Sequence, residues 1–148
     1  MLEIKTKSFN ELSTTELYDV LQLRSEVFVV EQDCVYQDID GKDKKALHVL
    51  GYKASKLVAY TRIFKPGYYF NEASIGRVLV KQTERQHQYG YEIMNASILA
   101  IKDNYKTDEI RISAQTYLKR FYNNLNFKEV GEGYLEDGIP HINMILKT

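Results

Sequence analysis

The sequence predicts one mixed α/β (α+β) domain built round a single sheet. Short β-branched and aromatic runs alternate along the chain with longer runs of helical period. Their order is strand, helix, three strands, helix, strand, helix, two strands, which suits one sheet flanked by helices. The 148 residues carry no internal repeat and no Pro/Gly/Ser-rich linker, so a single domain over residues 1–148 is expected.

Leu2 to Phe9 alternates and reads as the first strand. Ser13-Thr14-Thr15-Glu16 is a capping box, which starts a helix near Thr14. Leu17, Val20, Leu21, Val27 and Phe28 share its core face, and Arg24 lies on that face too. An inward arginine needs an oxygen partner: a structural carboxylate or a ligand. Val35 to Asp43 is acidic and turn-rich. Asp38, Asp40 and Asp43 suggest a calcium loop, but position twelve counted from Asp38 is Val49, not the glutamate such a loop requires. A solvated loop that shapes a pocket is expected instead, with no metal.

Ala46 to Tyr52 and Lys56 to Phe64 are strand-like, turned at Lys53-Ala54-Ser55. His48 in the first of these reads as a packed or surface-exposed residue rather than a catalytic one. Pro66-Gly67 is a turn and Tyr68 to Ala73 a loop. Ile75 to Val80 is a buried strand. A polar loop carrying Arg85 and His87 follows, and then a helix with Ile93, Met94, Ser97, Ile98 and Ile101 on one face, ending near Lys102. Lys106-Thr107-Asp108 turns into a strand, Glu109 to Ala114. A helix is expected over Gln115 to Phe127, with Tyr117, Leu118, Phe121, Tyr122 and Leu125 as its apolar set. Phe127 to Gly131 and Ile139 to Leu146 are the last strands, turned at Glu136-Asp137-Gly138, and Pro140 marks an edge or a bulge.

Composition narrows the function. Formal net charge is zero, without the basic excess usual in nucleic-acid binders. No run approaches the ~20 apolar residues that span a bilayer, and the first ten residues lack a signal-peptide core, so a cytoplasmic protein without membrane partners is expected. Cys34 is the single cysteine, which rules out an internal disulfide and reads as an idle thiol. The strand–loop–helix from Ile75 onward has the form of an anion cradle. The first N–H groups of a helix lack internal partners, the dipole adds positive charge, and Gly90 would let a phosphate approach.

Arg85-Gln86-His87-Gln88-Tyr89-Gly90 resembles the Arg/Gln-x-x-Gly-x-Gly/Ala acetyl-CoA signature of the GNAT N-acetyltransferase superfamily, with Gln88 in place of the middle glycine. Gln115 to Phe127 is similar to a second GNAT motif, Asn-x-x-Ala-x-x-x-Tyr-x-x-x-Gly-Phe, matching at Tyr122 and Phe127. Leu23 to Gln32, Tyr36 to Gly41 and Glu136 to Met144 resemble the ElaA-like subgroup. The resemblance implies the acyl-CoA N-acyltransferase fold, with a central, mixed, largely antiparallel sheet flanked by helices. It also implies an acetyl-CoA co-substrate. Val78, Leu79 and Val80 would line the pantetheine arm and Arg85 to Tyr91 (Arg85, Gln86, His87, Gln88, Tyr89, Gly90, Tyr91) would hold the pyrophosphate, with Gln115 nearby. Tyr122 would be the general acid toward the CoA sulfur. For the base that frees the amine, the order of expectation is Glu31, His141, then Asp38, with Asp40 a further rival and a water relay needing none of them. Arg24, Glu31, Asp38 and His141 are the expected contacts to the acceptor, a small-molecule or protein amine. A homodimer is one assembly open to such a chain. The competing readings are a non-catalytic acyl-CoA sensor and an acyl-homoserine-lactone synthase, whose family has a similar Arg-x-x-Val-Phe helix.

Overall fold

The computed structural model describes residues 1–147. Seven strands form one sheet: β1 (Glu3–Ser8), β2 (Leu47–Lys53), β3 (Lys56–Phe64), β4 (Ala73–Val80), β5 (Glu109–Gln115), β6 (Lys128–Glu136) and β7 (Ile139–Lys147). Their spatial order is β1-β2-β3-β4-β5-β7-β6. Every neighbouring pair is antiparallel except β4 and β5. Parallel strands need a crossover, and α2 (Tyr89–Tyr105) supplies it. α1 (Thr14–Arg24) runs on as a π-helix, Ser25–Glu31, and α3 is only Lys119–Asn123.

Strand alternation divides the core between the two faces. Ile93, Met94 and Ile101 of α2 pack with Val49, Ala59, Ile75, Ile110 and Ile112. Val20, Leu23, Val27 and Phe28 pack with Leu50, Tyr60 and Leu79 on the other face. The capping box forms as expected: Glu16 N–H donates to Ser13 Oγ at 3.0 Å, and Ser13 N–H donates to Glu16 Oε1 at 2.8 Å. The β2–β3 turn is Ala54-Ser55, with φ of 49° and 68°, and the β6–β7 turn is Asp137-Gly138, with φ of 51° and 78°. Both are mirror-type turns that match the twist of antiparallel strands. Pro140 lies beyond the last β5–β7 pair, where β7 has β6 alone beside it.

Some expectations change. The helix over Gln115–Phe127 shrinks to a 3-10 turn, Thr116–Leu118, plus α3, and Gln115 belongs to β5. Tyr117 is 73% exposed rather than part of an apolar face. β6 runs past Gly131 to Glu136 because the chain bulges between Val130 and Tyr134, with Gly131 at φ 73°, and then resumes pairing. α2 extends beyond Lys102 to Tyr105.

The acidic stretch is the largest revision. It is a buried ionic clasp, not a solvated loop. Arg24 is fully buried; its Nε meets Asp38 Oδ2 at 2.9 Å and its Nη1 meets Asp43 Oδ1 at 2.7 Å. Arg62 holds Asp40 at 2.6 Å and Asp43 at 3.0 Å, and Arg77 holds Asp38 at 2.7 Å. Three guanidiniums and three carboxylates therefore compensate one another. Burial works to raise the Asp43 and Asp40 pKa values, yet their arginine partners hold Asp43 below the usual carboxylate range and Asp40 well below it. His48 closes the clasp: Asp43 O lies 2.9 Å from Nε2 and Tyr60 Oη 2.6 Å from Nδ1. The carbonyl can only accept, so Nε2 carries the hydrogen and Nδ1 accepts from the phenol.

Candidate functional site

The site arises where two parallel strands part. β4 and β5 are in register only at Ala73↔Ile110 and Ser74↔Arg111. Beyond Ser74, β4 gains one residue against β3, and Arg77 at φ 49° sits in that bulge. A bulge bends its strand and raises its local twist. The far half of β4 thus swings away from β5. A cavity of about 460 Å³ opens between them, floored by Val78, Leu79 and Val80.

The opposite wall is α3 and the turn before it. Tyr122 is buried, lines the cavity, and stands edge-on to Phe121 at 5.0 Å and to Phe127 at 6.1 Å. Burial, helped by Tyr117, pushes its phenol well above the ordinary range, so it keeps its proton throughout the neutral region. Asn126, at φ 73°, occupies the glycine position of the second motif; asparagine is among the few side chains that tolerate this conformation.

The N-terminus of α2 faces the cavity through Gln88, Gly90 and Tyr91. Gln88 adopts φ 61°, ψ 27°, the left-handed conformation natural to the glycine found there in the signature. Gln88 O accepts from Tyr91 N–H at 3.1 Å, leaving the Tyr89 and Gly90 N–H groups ahead of the first helical bonds. Gly90 also has a packing role that the sequence did not suggest. A Cβ there would lie 3.1 Å from the Phe121 ring, so this glycine lets α3 close on α2.

Arg85, in the 3-10 turn before α2, donates from Nε to Val80 O at 3.1 Å, and its two terminal nitrogens meet both oxygens of Glu31. Gln32 Nε2 donates to Gln115 Oε1 at 3.1 Å. The π-helical end thus straps the open side of the cavity from β4 to β5.

Of the residues expected here, Glu31, Val78, Leu79, Val80, Arg85, Gln88, Gly90, Tyr91, Gln115 and Tyr122 converge on one cavity. Gln86 and His87 are exposed and turn away, and the Tyr89 side chain is in the core. Arg24 and Asp38 are enclosed in the clasp and present no atom to the cavity. His141 lies outside it, buried against Tyr134, with Nδ1 2.7 Å from Ile139 O. The sequence reading missed Val27, Phe28, Gln32, Tyr117, Leu118 and Phe121 as lining residues. The two from α1's extension were recognised as apolar, but only the fold aims them here.

Comparison with known proteins agrees with this geometry. Residues 10–148 match the acetyltransferase (GNAT) domain family. Protein ElaA of Escherichia coli is 42% identical, over 97% of this chain and 95% of its own. The UPF0039 protein C11D3.02c of Schizosaccharomyces pombe is 39% identical, over 99% of this chain and 97% of its own. The crystal structure of Escherichia coli ElaA superposes with a TM-score of 0.92 at 40% identity, covering 99% and 100% of the two chains. An acyl-CoA N-acyltransferase from Pseudomonas aeruginosa superposes at 0.91 with 36% identity, covering 99% of each. The acyl-homoserine-lactone synthase LasI superposes at 0.81 with 12% identity, a likeness of fold alone. No helix among the described residues is long and apolar enough to cross a membrane. A splayed β4–β5 pair, a helix N-terminus at its mouth and a buried phenol opposite are thus found in a chain that belongs to the GNAT acyl-CoA N-acyltransferase family.

Proposed function

We propose that this protein transfers the acetyl group of acetyl-CoA to a primary amine by direct attack on the thioester. The observation that carries this reading is the convergence of β4 main chain, the α2 N-terminus and Tyr122 on one cavity. The α2 N–H groups and Arg85 suit a diphosphate. The main chain of Val78 to Val80 along the cavity floor suits the amide-bearing pantetheine arm and the thioester carbonyl, whose developing oxyanion needs a donor, once Arg85 has released Val80 O. The amine lone pair attacks the carbonyl carbon, the C–N bond forms, and the C–S bond breaks. The departing thiolate takes the Tyr122 proton, and the proton on nitrogen passes to a base. Glu31 is the carboxylate at the cavity and our first choice for that base; it serves once Arg85 has turned to the phosphates. His141 and Asp38 have no path to the cavity without a water relay. No metal enters the step.

Thermal unfolding with and without acetyl-CoA tests binding, since a ligand of the native state raises the midpoint. An amine panel read by free thiol release tests transfer. Binding without transfer to any amine would favour a sensor; no binding would end the reading.

A further inference from the structure

The extra residue of the β4 bulge is an arginine where a glycine would fit more easily. Tyr60 pairs with Leu79 and Arg62 with Gly76, so two steps along β3 match three along β4. Arg77 takes the left-handed conformation, φ 49°, while Gly76 beside it does not. Glycine enters that region without a Cβ penalty; a larger residue stays there only when its surroundings hold it.

The arginine side chain does the holding. Arg77 presents no atom to the large cavity. Its Nη2 donates to Asp38 O at 2.9 Å, its Nε stands 2.7 Å from Asp38 Oδ1, and its guanidinium lies over the Tyr36 ring at 5.7 Å. The Nε contact is off the hydrogen-bond line, so it acts as an ion pair and the Nη2 bond sets the direction. Asp38 in turn is anchored to the end of α1. Its Oδ2 accepts from Arg24 Nε at 2.9 Å, and its carbonyl accepts from Arg24 Nη2 at 3.0 Å as well as from Arg77. Tyr36 Oη donates to Asp38 Oδ1 at 3.2 Å. Arg24 is the last residue of α1, and the π-helix after it brings Val27, Phe28 and Glu31 to the cavity. Arg77 is the last residue before the floor, Val78 to Val80. One aspartate thus joins two walls of the cavity through two arginines that both bond its carbonyl.

Resting on the acetyltransferase reading above, we infer that Arg77 and Asp38 are positioning residues for the transfer. The Arg24–Asp38–Arg77 tether keeps the bulge wound and so aims the main chain of Val78 to Val80 at the thioester carbonyl. Neither side chain touches the reacting atoms, and the bond changes are those already described. A donor to a developing oxyanion works only where that oxygen will stand, and a displacement of about 1 Å costs about 10²-fold in rate. The diphosphate is gripped elsewhere, at the α2 N-terminus, so the tether acts on turnover and not on cofactor affinity.

Arg77→Ala and Arg77→Gly, assayed well below both melting midpoints, separate this role from stability. Both delete the guanidinium, but only glycine keeps the left-handed bulge with no side chain to hold it. In Arg77→Ala, kcat should fall about 10²-fold while acetyl-CoA affinity stays within about threefold. Arg77→Gly should regain about tenfold of that loss. The amide resonances of Leu79 and Val80 give a readout independent of turnover: they should move in Arg77→Ala and return toward the wild-type positions in Arg77→Gly. Wild-type kcat or unmoved resonances in Arg77→Ala, an Arg77→Gly no faster than Arg77→Ala, or an affinity loss as large as the loss in kcat each overturn the inference. If Arg77→Ala does not fold, Tyr36→Leu takes its place. It keeps every charge of the tether and removes the ring under the guanidinium, so kcat should fall about fivefold at unchanged affinity. Unchanged kcat there overturns the inference too. If the wild-type protein does not bind acetyl-CoA or acetylates no amine, the reading underneath fails separately, and the Leu79 and Val80 resonances still decide whether the tether holds the bulge.

Discussion

Arg85 and Glu31, 54 residues apart in sequence, form a two-point ion pair across the rim of the large cavity. Arg85 also donates to Val80 O at 3.1 Å, so the free protein engages the guanidinium and the strand carbonyl that the proposed acyl-CoA binding would use. Both partners are partly exposed, and such pairs are worth about 0–1 kcal/mol. Glu31→Gln should therefore tighten acetyl-CoA binding modestly, up to about fivefold, while lowering turnover with amines. Equilibrium titration beside steady-state kinetics checks both directions; weaker binding would mean that Glu31 holds Arg85 ready for phosphate.

Tyr122→Phe keeps the ring that packs on Phe121 and Phe127 and removes the proton donor. Turnover should drop about 10²-fold or more, with acetyl-CoA affinity unchanged. A change in affinity alone would make Tyr122 a packing residue.

Arg24→Met leaves Asp38 and Asp43 without the guanidinium that meets them at 2.9 and 2.7 Å. Breaking one side of a buried charge cluster costs about 3–5 kcal/mol. The urea midpoint should fall sharply at constant slope. Arg24→Lys should recover little, because an ammonium lacks the fork that serves two carboxylates at once.

The clasp makes stability depend on pH in two windows. Burial lowers the His48 pKa below its ordinary ~6.5, so between the folded and unfolded values the unfolded chain binds more protons. The His48 contribution is complete above about pH 6.5 and is lost as pH falls below it. Asp40 and Asp43, held low by Arg62 and Arg24, contribute above about pH 4 and lose that contribution in stronger acid. Thermal melts from pH 8 to 3 should show both declines, and His48→Gln should flatten the first.

Gly90→Ala sets two effects against each other. Alanine gains about 1 kcal/mol of helix propensity, while its methyl would stand 3.1 Å from the Phe121 ring. Phe121 lines the cavity and can yield toward it. Melting should change little and acetyl-CoA affinity should fall, as titration would show; a large loss of stability would mean that Phe121 is fixed.

The sequence by itself determined most of the local elements and much of the wall of the large cavity. The Ser13–Glu16 box, the β-branched run before Val80 and the helical period from Ile93 to Ile101 depend on near neighbours, whose geometry is set within a few residues. Only tertiary structure decided which charges were spent and which were available. Asp38, Asp40 and Asp43 read as a watery loop because their arginine partners come from α1, β3 and β4. Glu31 read as a free base because Arg85 is 54 residues away. The cavity itself follows from the bulge at Arg77 and the parting of β4 from β5 after two paired residues. Pairing register and long-range charge compensation are properties of chain segments brought together in space, and no local pattern encodes them.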